Sequence, residues 1–132
     1  MNRKSKGSNA ERELIHLFWA TKEWAAIRVA GSGSMRYPCA DILAANKLRR
    51  LAIEAKTSKE HKKYLSKEEI NQLKEFSGLY GAEPWIAVRF DRNEWLFINI
   101  EDLKESEKSF MISLEEAQAK GLLFEELINF SF

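Results

Sequence analysis

Three short apolar runs follow one another in the first half of the chain with too little between them to form a helix. They are Ala25–Ala30 (AAIRVA), Asp41–Ala45 (DILAA) and Leu51–Ala55 (LAIEA). The first connection, GSGSMRYPCA, holds two glycines and a proline and reads as a loop. The second, Asn46–Arg50, reads as a polar turn. Parallel neighbours need a crossover of about a dozen residues or more, so these strands are expected as an antiparallel meander.

Helical signals flank the meander. Leu14, Ile15, Phe18 and Trp19 form an apolar stripe, and Ser8 with Glu11 has capping-box spacing, which predicts a helix over Asn9–Lys22. Ser66 and Glu69 repeat the box before Lys67–Tyr80. There Ile70, Leu73, Phe76 and Tyr80 share a face, and Gly81 stands at the terminating position. Pro84–Phe90 and Trp95–Ile100 read as strands joined by a turn at Asp91–Glu94, and Ser113 with Glu116 opens a short helix. Residues 57–65 read as an exposed basic loop and residues 1–7 as a mobile basic arm. The apolar tail, GLLFEELINFSF, needs a surface to cover it. The expected fold is one α/β domain over residues 1–132, a central mixed five-stranded sheet flanked by helices.

The chain has 132 residues, 45% hydrophobic and 31% charged, which suits one soluble core. No apolar run reaches the ~18 residues of a membrane span, and the start lacks the apolar stretch of a signal peptide. Cys39 is the only cysteine. It has no internal disulfide partner and reads as a small buried residue, so the cytoplasm is the expected compartment. His16 and His61 lack metal-site spacing, and the four tryptophans read as core or interface.

The net charge of +1 hides a split. Residues 1–70 carry 15 Lys and Arg against 8 Asp and Glu, while residues 71–132 carry 6 against 12. A basic half favours a polyanion, because each phosphate neutralised releases counterions. A solvated basic surface is the plainer reading of charge alone.

Chemistry concentrates in three residues. Glu54 and Lys56 lie two apart in an otherwise apolar strand and share one face. Asp41 opens the neighbouring strand, where a hairpin brings its carboxylate beside Glu54. Two such carboxylates repel each other, and a hard divalent cation, Mg²⁺ or Mn²⁺, would relieve the repulsion. That cation would stabilise charge on a phosphate and acidify a water. Lys56 would orient or deprotonate the water, or face the developing charge; sequence leaves these roles open. Taken alone, Glu-x-Lys reads as an ion pair on an exposed strand.

The order of motifs strengthens the case. It runs through Ala10-Glu11-Arg12-Glu13-Leu14-Ile15, Arg28-Val29-Ala30-Gly31-Ser32-Gly33-Ser34, Asp41-Ile42-Leu43-Ala44 and Ile53-Glu54-Ala55-Lys56. Gln72-Leu73-Lys74-Glu75-Phe76 and Ile86-Ala87-Val88-Arg89-Phe90 continue it. This order resembles the PD-(D/E)xK nuclease superfamily, and within it the archaeal Holliday-junction resolvases. The resemblance covers residues 8–100. It departs at Pro38, which Cys39 and Ala40 separate from Asp41.

The resemblance implies a restriction-endonuclease-like fold and a homodimer that cuts four-way DNA junctions symmetrically. Asp41 and Glu54 would bind the metal, and Lys56 would complete the catalytic set. Glu11 would add a metal or water ligand, although its place in the Ser8 capping box is an equal reading. Arg12 and Arg28 would contact phosphates, and Arg28 among apolar neighbours needs an anionic partner in any case. Ser32 and Ser34 would sit near the scissile strand. Arg36, Lys59, Lys62, Lys63 and the N-terminal arm would flank the junction backbone. Phe76, Tyr80, Leu122, Leu123, Phe124 and Phe130 would supply the dimer interface. The alternatives are a restriction-type or repair nuclease, for which the chain has little room to add a recognition element, and a DNA-binding module without catalysis. The complete Asp41, Glu54 and Lys56 set argues against the last.

Overall fold

The structure, a computed structural model, describes residues 3–31 and 36–130, with side chains from residue 9 onward. Helix α1 (Arg3–Ala20) leads into the meander of β1 (Ala25–Arg28), β2 (Ile42–Ala45) and β3 (Arg50–Ser58). Strand β4 (Lys62–Ser66) follows, then α2 (Lys67–Tyr80), β5 (Glu83–Phe90) and β6 (Leu96–Ile98). A 3₁₀ turn at Ile100–Asp102 precedes β7 (Lys104–Glu105), β8 (Ser109–Ser113), α3 (Leu114–Lys120) and α4 (Phe124–Asn129).

The expected five-stranded mixed sheet is present, in the order β1-β2-β3-β5-β6. The first three strands pair antiparallel, as their short connections require, and β3 pairs parallel with β5 across the β4–α2 crossover. Alternation along β3 and β5 feeds two cores. Leu51, Ile53, Trp85 and Ala87 pack with Leu14 and Phe18 of α1 and Leu127 of α4. Ala52, Ile86 and Val88 pack on the other face with Ile70 and Leu73 of α2 and with Phe110 and Ile112 of β8.

Four expectations are corrected. Helix α1 begins at Arg3, six residues before Asn9, so residues 3–7 are helical backbone continuous with α1 rather than a separate arm. Ser8 consequently lies inside the helix rather than at its start. Residues 57–65 are not a loop: β3 runs on to Ser58, and Lys62–Ser66 is a strand of a second, three-stranded sheet in the order β4-β8-β7. The polar sequence hid it because only Leu65 of β4 is buried. Finally, the tail is covered by its own domain. Phe97 and Leu122 exchange backbone hydrogen bonds of 2.8 and 2.9 Å, and Phe124 meets Phe18 edge-on at 5.0 Å. Of the four tail residues expected at an interface, only Leu123 is exposed. Trp24, Trp85 and Trp95 are core residues, whereas Trp19 is half exposed and donates its indole N–H to the Ala26 carbonyl.

Candidate active site

The β2–β3 ladder ends at the pair Ile42–Ile53, and β3 continues beyond it with no strand of the described residues on that edge. Asp41 fills that edge. Its backbone N–H donates to the Ile53 carbonyl at 3.0 Å and its own carbonyl accepts from Val29 N–H at 2.8 Å. Its Oδ2 accepts from the Ala55 N–H at 3.0 Å. The side chain is thereby aimed across β3 beside Glu54.

Glu54 and Lys56 continue the Ala52 face of β3, toward α2, as their spacing predicts. Burial pushes the Glu54 carboxyl up to about 10, with a hydrogen bond to Asp41 and the charges of Asp41 and Glu69 adding to it and Lys56 opposing. These effects favour a positive charge, a proton or a cation, between the two carboxylates. That fits a site built for a hard cation, which could replace the proton between the two carboxylates. Among the described residues, no three His, Cys, Asp or Glu side chains converge to enclose a metal by themselves. The remaining positions would fall to water and phosphate oxygens.

Glu11 has a different partner from the one its capping spacing implied. Its Oε1 accepts from Arg28 Nε at 2.7 Å, which gives Arg28 its anion. Burial raises the Glu11 carboxyl, and the charge of Asp41 adds to the rise while Arg28 and Arg12 oppose it. Glu11 thus faces the acidic pair with Arg28 behind it.

Sequence reasoning missed Glu69. Lys56 Nζ lies 2.9 Å from its Oε2. Burial works to discharge Lys56, but the hydrogen bond and charge of Glu69, together with the charges of Glu54 and Asp41, outweigh it and the net shift is upward. Ser66 does cap α2, accepting from the Glu69 N–H at 3.0 Å. The Glu69 side chain, however, is committed to Lys56. The available signal was Glu69 and Gln72, three apart on one helix face. Both line the same cleft of about 410 Å³ as Glu11, Asp41, Glu54 and Lys56, and half-buried Cys39 lines it too. A larger cavity of about 540 Å³ between Leu17, Trp95 and Phe124 lies away from this group, and its Glu13 and Arg89 are paired with each other.

The other expected residues divide. Lys63, half buried, reaches a cleft shared with Glu11 and Lys56. Lys62, one residue earlier on the strand, is exposed and points to the opposite side. Arg12 is exposed and donates to Asn9 Oδ1 at 3.2 Å. Arg36 is exposed, its guanidinium 5.9 Å from the centre of the Tyr37 ring. Ser32 and Ser34 lie outside the described residues.

A parallel β3–β5 core with an Asp and a Glu-x-Lys at the end of its meander defines a domain of the restriction-endonuclease-like class. Within that class, the sequence model of the archaeal Holliday junction resolvase (Hjc) matches residues 2–132, and the chain belongs to that family. It is 42% identical over 130 residues to the crossover junction endodeoxyribonuclease Hjc of Archaeoglobus fulgidus, covering 93% of this chain and 95% of the relative. To the enzyme of the same name from Methanocaldococcus jannaschii it is 38% identical over 124 residues, covering 94% and 87%. The solved structure of Archaeoglobus fulgidus Hjc, a Holliday junction resolvase, superposes with a TM-score of 0.85 at 40% identity, covering 92% of this chain and 97% of that one.

Proposed function

We propose that this chain resolves four-way DNA junctions, hydrolysing two symmetric phosphodiester bonds as a homodimer with Mg²⁺, or Mn²⁺ in its place. The observation that carries the reading is the coupled Asp41–Glu54 pair at the edge of β3 beyond the β2 ladder, with Lys56 on the same face. The relatives are named as crossover junction endonucleases, which supports the substrate.

Asp41 and Glu54 would hold the cation. Bound there, it would stabilise phosphate charge and supply a nucleophilic water at neutral pH. Lys56, held charged by Glu69, would face the charge that builds on the phosphate. Arg28, oriented by Glu11, would contact the adjoining phosphate, and Lys63 would follow along the backbone; Arg12, Arg36 and Lys62 would serve as outer contacts. Recognition of a junction would rest on shape and phosphate position.

Symmetric cutting needs two sites in matching positions, which a two-fold dimer supplies. α2 offers a face for it: Leu79 and Tyr80 are exposed, and Tyr80 stacks on Phe76 with ring centres 5.1 Å apart. The deciding assay incubates the protein with a synthetic four-way junction and with linear duplex. Paired nicks in the junction with Mg²⁺, and none in EDTA, are expected. Equal cleavage in EDTA would overturn the metal reading, and equal cleavage of duplex would overturn the junction reading.

A further inference from the structure

Three clefts open onto the C-terminal end of β3, and they share residues. The acidic cleft shares Glu11, Ala55 and Lys56 with a second cleft of about 180 Å³. That one shares Thr57 with a third, of about 290 Å³, which reaches the turn between β5 and β6. The three clefts thus follow one another along β3, away from the carboxylates. Parallel pairing fixes the far end of that row, because Thr57 stands beside Arg89 and the Asp91 N–H donates to the Ser58 carbonyl at 2.8 Å.

The far end is cationic. Lys59, Arg89 and Arg92 line it, against the single carboxylate of Asp91. Arg89 is committed to Glu13 and lies 5.0 Å over the Trp95 ring. Lys59 and Arg92 enter no ion pair among the described residues. Arg92 also holds a left-handed backbone, φ 65°. That conformation costs a residue with a Cβ about 1 kcal/mol or more, and glycine would avoid the cost. A strained arginine at the mouth of a cleft points to use of its side chain.

We propose that Lys59 and Arg92, with the Thr57 hydroxyl, form a phosphate subsite for the DNA strand being cut, about one to two nucleotides from the scissile bond. Lys59 is three steps along the chain from Lys56, roughly 10 Å at about 3.3 Å each. Successive phosphates of one strand stand roughly 6–7 Å apart, about twice the ~3.4 Å rise along the axis, so one to two steps fill that span. The proposal rests on the junction-cleavage reading above.

The test compares the unaltered chain with Lys59→Ala/Arg92→Ala and with Arg92→Gly. Binding to a junction is measured in EDTA across a salt series. Neutral methylphosphonate linkages are placed singly at one to four nucleotides from the cut. The double variant should lose about 0.9 to 1.8 units of the slope of log affinity against log salt. Arg92→Gly should lose part of that slope while melting no lower, since it relieves the backbone. The neutral linkage at the first or second position should weaken binding by the unaltered chain and add nothing to the loss in the double variant. An unchanged slope in the double variant, or a neutral linkage that weakens both proteins equally, overturns the subsite. Failure of the unaltered chain to bind or cut the junction overturns the functional reading and the subsite together; normal cutting with an unchanged slope removes the subsite alone.

Discussion

Asp41 acts on two bonds at once: its backbone ends one ladder and its side chain caps the free N–H of Ala55. Asp41→Asn should retain much of this scaffold, since the amide oxygen still accepts, while removing the charge a cation needs. Asp41→Asn, Glu54→Gln and Lys56→Ala should each lower single-turnover cleavage by at least about 100-fold and leave junction affinity within a few-fold. Normal cutting by all three would remove the site assignment. Glu69→Gln separates orientation from chemistry. It keeps a partner for Lys56 but not the charge, so a loss of cleavage rate about ten-fold, with unchanged affinity, is expected; an unchanged rate would reduce Glu69 to a surface residue. The acidic pair and its lysine were legible in sequence, because period-two spacing puts Glu54 and Lys56 on one face and a short hairpin returns Asp41 to them. Glu69 was not legible, because its place near Lys56 depends on how α2 packs across β3.

At the level of elements, the start of α2 sets the site. Ser66 fixes the first turn, and that turn carries Glu69 and Gln72 into the cleft. Ser66→Ala should lower stability by about 1 kcal/mol and also slow cleavage, whereas Ser113→Ala at the cap of α3 should lower stability by a similar amount with the rate unchanged. Equal effects on rate would break the link from cap to site. The C-terminal helix is held by Arg49. Its guanidinium makes two bonds of 2.9 Å to Glu83 and one of 2.7 Å to the Leu127 carbonyl, and lies 5.4 Å over Trp24. Arg49→Ala leaves Glu83 and the helix end short of partners, and should lower stability by on the order of 2–3 kcal/mol. A melting curve unchanged from the unaltered chain would show that α4 is anchored by Leu127 and Phe124 alone.

For the whole molecule, the arrangement of charge is more specific than the halves of the sequence implied. Lys63 reaches the cleft it shares with Glu11 and Lys56, Lys62 faces away, and Lys59 meets Arg92 from the acidic half. The exposed apolar residues of α2 lie on the helix that also carries Glu69. Sedimentation should give a mass near twice the 15.3 kDa of the chain, and Leu79→Glu/Tyr80→Glu should shift it to one chain while leaving the fold intact. A single-chain mass for the unaltered protein at micromolar concentration would exclude the dimer.

Sequence alone determined what short-range geometry controls. The lengths of the connections forced the β1–β3 meander, alternation placed Glu54 and Lys56 together, and the caps at Ser66 and Ser113 marked their helices to the residue. Packing over long distances in the chain decided the rest. Ser8 and Glu11 have capping spacing, yet α1 begins at Arg3, so the spacing marks no helix start, and the Glu11 carboxylate instead meets the guanidinium of Arg28. Polar β4 becomes a strand because β8, nearly fifty residues later, pairs with it. The apolar tail packs on Phe97 and Phe18, which the sheet and α1 bring to it from far along the chain.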